Sequence, residues 1–483
     1  MGRKSLFVLL AAAMLAVIPQ IIHAGWIKTY GAGGEYGRSV RQTTDGGYII
    51  TGYTWVSGAG LYDIWLLKTD ANGDTLWTKT YGGEGRERAN CVQQTSDGEY
   101  IIVGITESFA TAGSQDLWLL KTDSEGDTLW TRIYGVDGGE FDADYGSFVL
   151  ETPDGGYIVV GTKMCIAEEY ASYVWLLKTD ASGDTLWTHT YHSEARWGWN
   201  WSSCVGQTSD GGYILTGSSS LPNEGCQGLS LIKTDTNGDT MWTRMYGGEE
   251  SPACGRCVQQ TPEGGYVIVG AWGIPEPPNH WVKFDFWLLK TDENRDTLWT
   301  PTYDWEDSDH AKCLDQTSDG GYIIVGWKGG ASPGTPYYMW LAKTDEAGDT
   351  LWTRTFGEYS SSGECVHQTP DGGYIITGHM DNDLCLIKTD SLGYVSAVEE
   401  PVVDATANWH ILSAIGRSIV LQYKDLPQGF HVQVFDATGR KVDEIESPAQ
   451  NGVLRWGENH SPGVYFIVLT DKEVSVQKVI LIK

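Results

Sequence analysis

Between residues 36 and 394 the apolar positions fall in short runs of two kinds. One kind is apolar almost throughout, as in Tyr100–Thr106 (YIIVGIT) and Leu117–Thr122 (LWLLKT). The other alternates apolar and polar residues, as in Thr128–Tyr134 (TLWTRIY). Short continuous runs bounded by turn residues mark strands covered on both faces, and a period of two marks a strand with one wet face. Between residues 89 and 134 this predicts four strands: CVQQT, YIIVGIT, LWLLKTD and TLWTRIY. A Ser96-Asp97-Gly98 turn joins the first two and SEGD joins the last two, with Gly supplying the positive φ. The loop 107–115 joins the second and third.

The pattern recurs at a period near 53 residues. KTDANGDTLWTKTYGG at Lys68 returns at Lys121, Lys178, Lys233, Lys290 and Lys343. A seventh copy at Lys388 loses the motif before its Trp, and the missing tail, WIKTY, stands at Trp26–Tyr30. The first turn recurs at Asp45, Asp97, Asp154, Asp210, Glu263, Asp319 and Asp371. Four short antiparallel strands per repeat and seven repeats predict an all-β fold: a seven-bladed β-propeller over 25–397, closed by its N-terminal strand. Closure leaves no sheet edge open to another chain, so a monomer is expected.

The Asp-x-x-Gly-Asp-x-x-Trp pattern (Asp70, Gly73, Asp74, Trp77) resembles the blade motif of quinoprotein-type propellers, which implies that one Trp per blade docks between neighbours. Trp26, Trp77, Trp130, Trp187, Trp242, Trp299 and Trp352 form that girdle, and the third-strand Trp65, Trp118, Trp175, Trp287 and Trp340 are read as packing too. The vicinal Cys pair used by some quinoproteins is absent, so no quinone, and no other cofactor, is expected. Asp70, Asn72 and Asp74 have the alternating spacing of a calcium loop, but Ala347 and Leu392 fill the middle position in later copies and no bidentate Glu follows. A hairpin turn is the better reading, and no metal is expected.

Five cysteines (Cys91, Cys204, Cys257, Cys313 and Cys365) hold one repeat position, six residues before the turn Asp or Glu. They are read as small buried hydrophobes in five blades, too far apart to bridge, while a Cys226–Cys254 bridge in the loops is open. Residues 1–24 carry Arg3 and Lys4, an apolar stretch and Ile22-His-Ala24, the pattern of a secretory signal. The formal net charge of −30 argues against nucleic acid and anionic membranes as partners.

Turns within the first and second hairpins of each repeat are nearly identical, whereas the remaining connections vary. In an up-and-down blade the variable set emerges on one face, where binding residues belong. The variable segments carry Trp197, Trp199 and Trp201; Trp272 and Trp281; Trp305, Asp307 and Asp309; and Tyr337. Exposed rings stack on sugar faces and acids bond hydroxyls, so these are the candidate ligand-binding residues. No catalytic constellation stands out, and none is assigned.

Residues 398–407 read as a linker, and 408–483 as a small Ig-like β-sandwich with a different strand pattern, in which HVQVFDATGRKVDEI forms one run. Val434–Val442 with Asp436, Gly439 and Arg440, then Trp456, Gly463 and Tyr465 in Ser461–Phe466, and Lys478–Lys483 at the end resemble the type A C-terminal sorting domain of the type IX (Por) secretion system. The usual entry motif is replaced by Trp409-His-Ile-Leu. The resemblance implies that the type IX machinery is a partner and that the product reaches the outer-membrane surface or medium of a Gram-negative bacterium. The expected role is binding of a surface glycan or protein. Competing readings are a glycan hydrolase or lyase acting in the propeller funnel, and a structural surface component.

Overall fold

The computed structural model divides into two compact units, residues 1–396 and 397–483. It describes residues 25–395 and 409–481, apart from 32, 56–57, 59, 111–113, 136–142, 166–170, 192–198, 222–224, 249–251, 277–280, 304–307, 330–334, 358–359, 414, 417–418, 425–429, 437–439, 458–459, 462 and 470–474. The expected signal, 1–24, and linker, 398–407, lie outside the described residues.

Among the described residues the first unit holds seven antiparallel sheets. Sheets 1 to 7 begin with Glu35–Gln42, Glu87–Gln94, Asp144–Glu151, Trp199–Gln207, Ala253–Gln260, Asp309–Gln316 and Ser362–Gln368. Each of these first strands packs on the first strand of the next sheet, and that of sheet 7 returns to sheet 1, so the sheets close into a cycle. In sheets 1 to 6 the strands follow in sequence order from the inside out. In sheet 2 the second and third strands, Tyr100–Thr106 and Asp116–Thr122, are buried at every position, and the fourth, Thr128–Tyr134, alternates exposed and half-buried. The apolar runs are thus inner strands sandwiched between neighbouring sheets, and the alternating runs are the outer rim.

Sheet 7 takes its outer strand from the N-terminus. Trp26–Tyr30 pairs antiparallel with Asp383–Thr389 and sets Trp26 opposite Lys388, the register that sets Trp77 opposite Lys68 in sheet 1. The girdle Trp residues dock on the turn of the next sheet. A Cβ at Gly73, whose φ is +77°, would meet the Trp26 ring at 2.5 Å, so only Gly fits there. Tyr81 Oη donates to Gly126 O at 2.5 Å, and Tyr191 Oη to Gly238 O at 2.6 Å. Sheet 5 departs from the pattern twice. Arg295 takes the left-handed position with φ 73° and lies over Trp242, and Pro301, which has no N–H, splits the outer strand into Thr297–Trp299 and Thr302–Tyr303.

The repeated Lys forms an ion pair with the turn Asp in six sheets, and in sheet 5 Lys290 lies 3.9 Å from Glu263. Lys233 Nζ lies 2.8 Å from Asp210 and Lys68 Nζ 2.8 Å from Asp45, with both lysine side chains 4% exposed. Burial raises the Asp45, Asp97, Asp154 and Asp210 carboxyls, but hydrogen bonds from Lys, Thr and backbone outweigh it and hold each at about 2. In the second repeated turn Asp70 Oδ1 accepts from the N–H of Asn72 at 2.9 Å and of Asp74 at 2.8 Å, so the carboxylate organises the hairpin.

The cysteine column needs one correction. Cys204 Sγ and Cys257 Sγ lie 3.6 Å apart, because first strands of adjacent sheets converge. The five thiols are free, and for Cys204 and Cys257 distance is not what keeps them unbridged, whereas Cys91 has Ser39 and Phe148 at the same position in the neighbouring sheets. Cys254 is disulfide-bonded; the side chain of Cys226 lies outside the described residues.

The second unit has a three-stranded sheet (Trp409–Ser413, Ile419–Tyr423, Gly452–Trp456) and a five-stranded one. Ile419, Leu421 and Trp456 from the first share a core with Phe430, Val432, Val434, Tyr465 and Ile467 from the second. The segment 431–445, expected as one run, is a hairpin of Phe430–Asp436 and Lys441–Ser447, with Asp436 accepting from Arg440 N and Nε at 3.1 Å. Trp456 is buried and donates from Nε1 to Asp443 at 2.7 Å, and Tyr465 Oη donates to Ser461 O at 2.7 Å. Gly463 pairs with Leu481 and Lys478 with Phe466 in the ladder, whereas Gly439 and Lys483 lie outside the described residues. No helix of the described residues is long and apolar enough to cross a membrane.

Candidate functional site

Every first strand of the cycle carries a β-bulge at the same place. The register shifts between Gly37 and Ser39, between Gly255 and Cys257, between Ala311 and Cys313, and equivalently in the other sheets. The unpaired residues are Arg38, Asn90, Ser147, Ser203, Arg256, Lys312 and Glu364. A bulge re-aims its side chain out of the ladder, and bulges concentrate beside functional sites. Here the same backbone device presents a polar residue in all seven sheets.

Two of these residues are taken up by neighbours: Asn90 donates to Gly146 O at 2.7 Å and Ser147 Oγ to Ser202 O at 3.0 Å. The charged ones converge. Arg38 of sheet 1 lies 3.0 Å from Glu364 of sheet 7, and Lys312 of sheet 6 lies 3.8 Å from the same carboxylate. Arg256 of sheet 5 holds the same bulge position in the next first strand; burial lowers its guanidinium, with Glu364 opposing and Arg38 adding to it. Its Nε is buried and finds no acceptor among the described residues. Burial raises Glu364, but Lys312 and Arg38 outweigh it and hold its carboxyl at about 2. Glu364 raises Lys312, yet burial together with Arg256 and Arg38 pulls its ammonium below the ordinary lysine range.

Aromatic rings form an arc beside this cluster. Phe284 lies 5.5 Å from His310, which stacks on Trp327 at 4.5 Å. Trp327 meets Tyr337 at 5.8 Å, and Tyr337 Oη lies 3.2 Å from His379 Nε2. His379 lies 4.9 Å from Tyr36, which stacks on Tyr53 at 5.1 Å. Arg88 of sheet 2 then covers Tyr62 at 4.5 Å. Burial, then the charges of Arg256 and Lys312, hold His310 at about 3; burial also lowers His379, with Glu364 opposing and Arg38 and Lys312 adding to it. Both imidazoles are therefore neutral near pH 7.

Of the residues expected to bind a ligand, Tyr337 belongs to this arc. Asp309 heads the first strand of sheet 6 and is 2% exposed, so it is no loop-tip acid. Trp272 lies in the second strand of sheet 5, with its ring 4.9 Å from Trp287 and packed on the core. Trp199, Trp201 and Trp281 also fall within ladders that extend past the expected strand ends, and their side chains lie outside the described residues. Trp197, Trp305 and Asp307 lie outside them altogether. Arg38, Arg256, Lys312 and Glu364 are not among the residues expected from the sequence. Their signal was a column, one residue before the cysteine column, that is polar in all seven copies and charged in four.

In the second unit His431, Glu444 and Glu446 bring three donor atoms within 4.8 Å of one another. Lys441 Nζ lies 2.6 Å from Glu444, so this exposed group is an ion-pair network in its own right.

No protein-family model matches this chain. No curated protein matches it either. An ulvan lyase, a polysaccharide lyase solved with bound -[GlcA(1-4)Rha3S]-, matches with a TM-score of 0.50 at 10% identity, over 78% of this chain and 98% of that one. The Pan2 WD40 domain of Neurospora crassa matches with a TM-score of 0.45 at 9% identity, over 76% and 94%. A protein of unknown function from Bacteroides caccae matches with a TM-score of 0.38 at 14% identity, over 62% and 92%. The first unit is thus an all-β repeat structure of propeller-like fold, and at these identities the likeness is one of fold.

Proposed function

We propose that this chain is an exported seven-bladed propeller that binds a glycan at one mouth of its axis, with an Ig-like C-terminal unit serving as a type IX sorting domain. The observation that carries the binding reading is the arc Phe284–His310–Trp327–Tyr337–His379–Tyr36–Tyr53, drawn from four sheets onto the axial cluster. Flat rings stack on sugar faces, and neutral His and Tyr groups donate to and accept from hydroxyls. The ulvan lyase solved with its saccharide supports a glycan on this kind of fold. The test is a glycan array with the parent and Trp327→Ala; loss of signal in the variant with an unchanged melt is expected, and equal binding by the two overturns the assignment of the arc. The sorting reading is tested by removing residues 400–483: the truncated chain should stay in the periplasm, and its appearance in the medium overturns it.

A lyase is the second reading. Neutral His379 within 3.2 Å of the Tyr337 hydroxyl offers a proton acceptor beside a donor, and adjacent cations would neutralise a uronate carboxylate. Release of unsaturated uronides from an acidic polysaccharide, followed by their ultraviolet absorbance, would favour it. A retaining or inverting hydrolase pairs an ionised carboxylate with a protonated one, and Glu364, held ionised by Lys312 and Arg38, fits only the ionised role.

A further inference from the structure

We infer that the axial cluster of Arg38, Arg256 and Lys312 receives an anionic substituent, a carboxylate or sulfate ester, of a polysaccharide lying along the aromatic arc. This rests on the glycan-binding reading above and names the class of glycan. The chain as a whole carries a formal charge of −30, so a group of cations on its axis runs against the composition. Within the cluster, one carboxylate, Glu364, pairs with Arg38 and Lys312, and Arg256 holds the bulge of the first strand that packs beside that of Lys312. Asp315, further along the strand that carries Lys312, does not make up the difference. It lies 3.4 Å from His367 and accepts from Gln259 Nε2 at 3.2 Å and from Gln368 N at 3.0 Å.

Burying like charges together is costly unless an anion joins them. Arg256 is the residue most in need of one, since its Nε is buried without an acceptor among the described residues while its neighbours of like sign, Arg38 and Lys312, share Glu364. Guanidinium forks match carboxylate and sulfate oxygens in a bidentate manner, which a hydroxyl does not exploit. The flanking imidazoles, His310 stacked on Trp327 and His379 bonded to Tyr337, add no charge near neutrality and leave the anion to the Arg and Lys groups. A mostly acidic surface repels a polyanion elsewhere, so the cations select one entry point.

The experiment is affinity electrophoresis of the full chain in gels holding polygalacturonate, dextran sulfate or neutral dextran, at low and high salt, with the parent, Arg256→Gln, Lys312→Met and Trp327→Ala; melts establish that each variant is folded. At least one acidic polymer should retard the parent, less so as salt rises, and neutral dextran should not. Arg256→Gln should weaken retardation by the acidic polymer at least about tenfold in apparent Kd, equivalent to about 1.4 kcal/mol. Polygalacturonate alone, or dextran sulfate alone, as the active polymer identifies the substituent as carboxylate or sulfate. Retardation by neutral dextran as strong as by the acidic polymers, with Arg256→Gln equal to the parent, overturns the anionic class and leaves the glycan reading standing. Retardation by an acidic polymer that Trp327→Ala does not change sustains the anion site and removes the stacking reading. No retardation by either acidic polymer at low salt overturns the inference.

Discussion

The two ends of each first-unit sheet follow opposite rules. At the end that carries the repeated turns, the copies solve the same problem in the same way: in six of them a buried Lys meets the turn Asp, as Lys233 meets Asp210 at 2.8 Å, in sheet 5 Lys290 faces Glu263, and a girdle Trp docks on the next sheet's turn. The polar groups there are satisfied within their own sheet or the next one. At the bulge, the backbone is again the same in every sheet but the side chain is not, and the charged members gather on the axis with more cations than carboxylates. Repetition of a side chain marks a local packing demand. Repetition of a backbone device with changing side chains marks a place where the chain supports something other than its own stability.

That contrast breaks most visibly at the closure of the ring. Deleting residues 25–30 removes the outer strand of sheet 7, with its Trp26–Lys388 register and its dock on Gly73. It should give the largest loss, with a much lower Tm and aggregation through the exposed edge; unchanged melting and solubility would show that closure is not what holds the cycle. Next come the two Trp columns. Trp175 is 5% exposed whereas Trp187 is only half-buried, so Trp175→Ala should cost about 3–5 kcal/mol and Trp187→Ala about 2 kcal/mol. Denaturant melts that reverse this order would contradict the packing assigned to the columns.

The ion pairs come third, and the direction of substitution matters. Asp210→Ala strands an ammonium that is 4% exposed, at a cost of about 2 kcal/mol after allowing for the half-exposed carboxylate, whereas Lys233→Met leaves Asp210 in contact with water and should cost less. The same pairs set an acid limit. Asp45, Asp97, Asp154 and Asp210 have folded-state values near 2, below the ordinary 3.8, so the stability they contribute is fully present above about pH 4 and is lost as pH falls toward 2. Urea midpoints measured from about pH 5 down to about pH 2 should fall through that window, and Asp210→Asn should flatten part of the fall.

Much of the fold was legible in the sequence because each repeat states it independently. YIIVGIT and TLWTRIY differ in period because one strand is covered on both faces and the other on one, and WIKTY at Trp26 supplied the missing partner of the copy at Lys388. The site was far less legible. Segments that vary between repeats read as exposed loops, yet Trp272 packs on Trp287 and Asp309 is buried, because the ladders of several sheets run beyond the repeat's average length. Arg256 and Lys312 sit in mid-strand beside the cysteine column, where alternation alone gives no reason to expect a charge. Only the convergence of the first strands brings Lys312 and Arg38, a repeat or more away in sequence, to the Glu364 carboxylate.

The most direct measurement is the melting temperature of the parent and of Arg256→Met at neutral pH, each with and without an acidic polysaccharide. A cation held on the axis for a ligand should be dispensable to the fold, so Arg256→Met without polymer should melt at or above the parent, and polymer should raise the Tm of the parent more than that of the variant. A fall as large as that of Asp210→Ala, with polymer leaving the parent's Tm unmoved, would contradict the account, because the axial cluster would then serve the fold in the same way as the repeated Lys–Asp pairs.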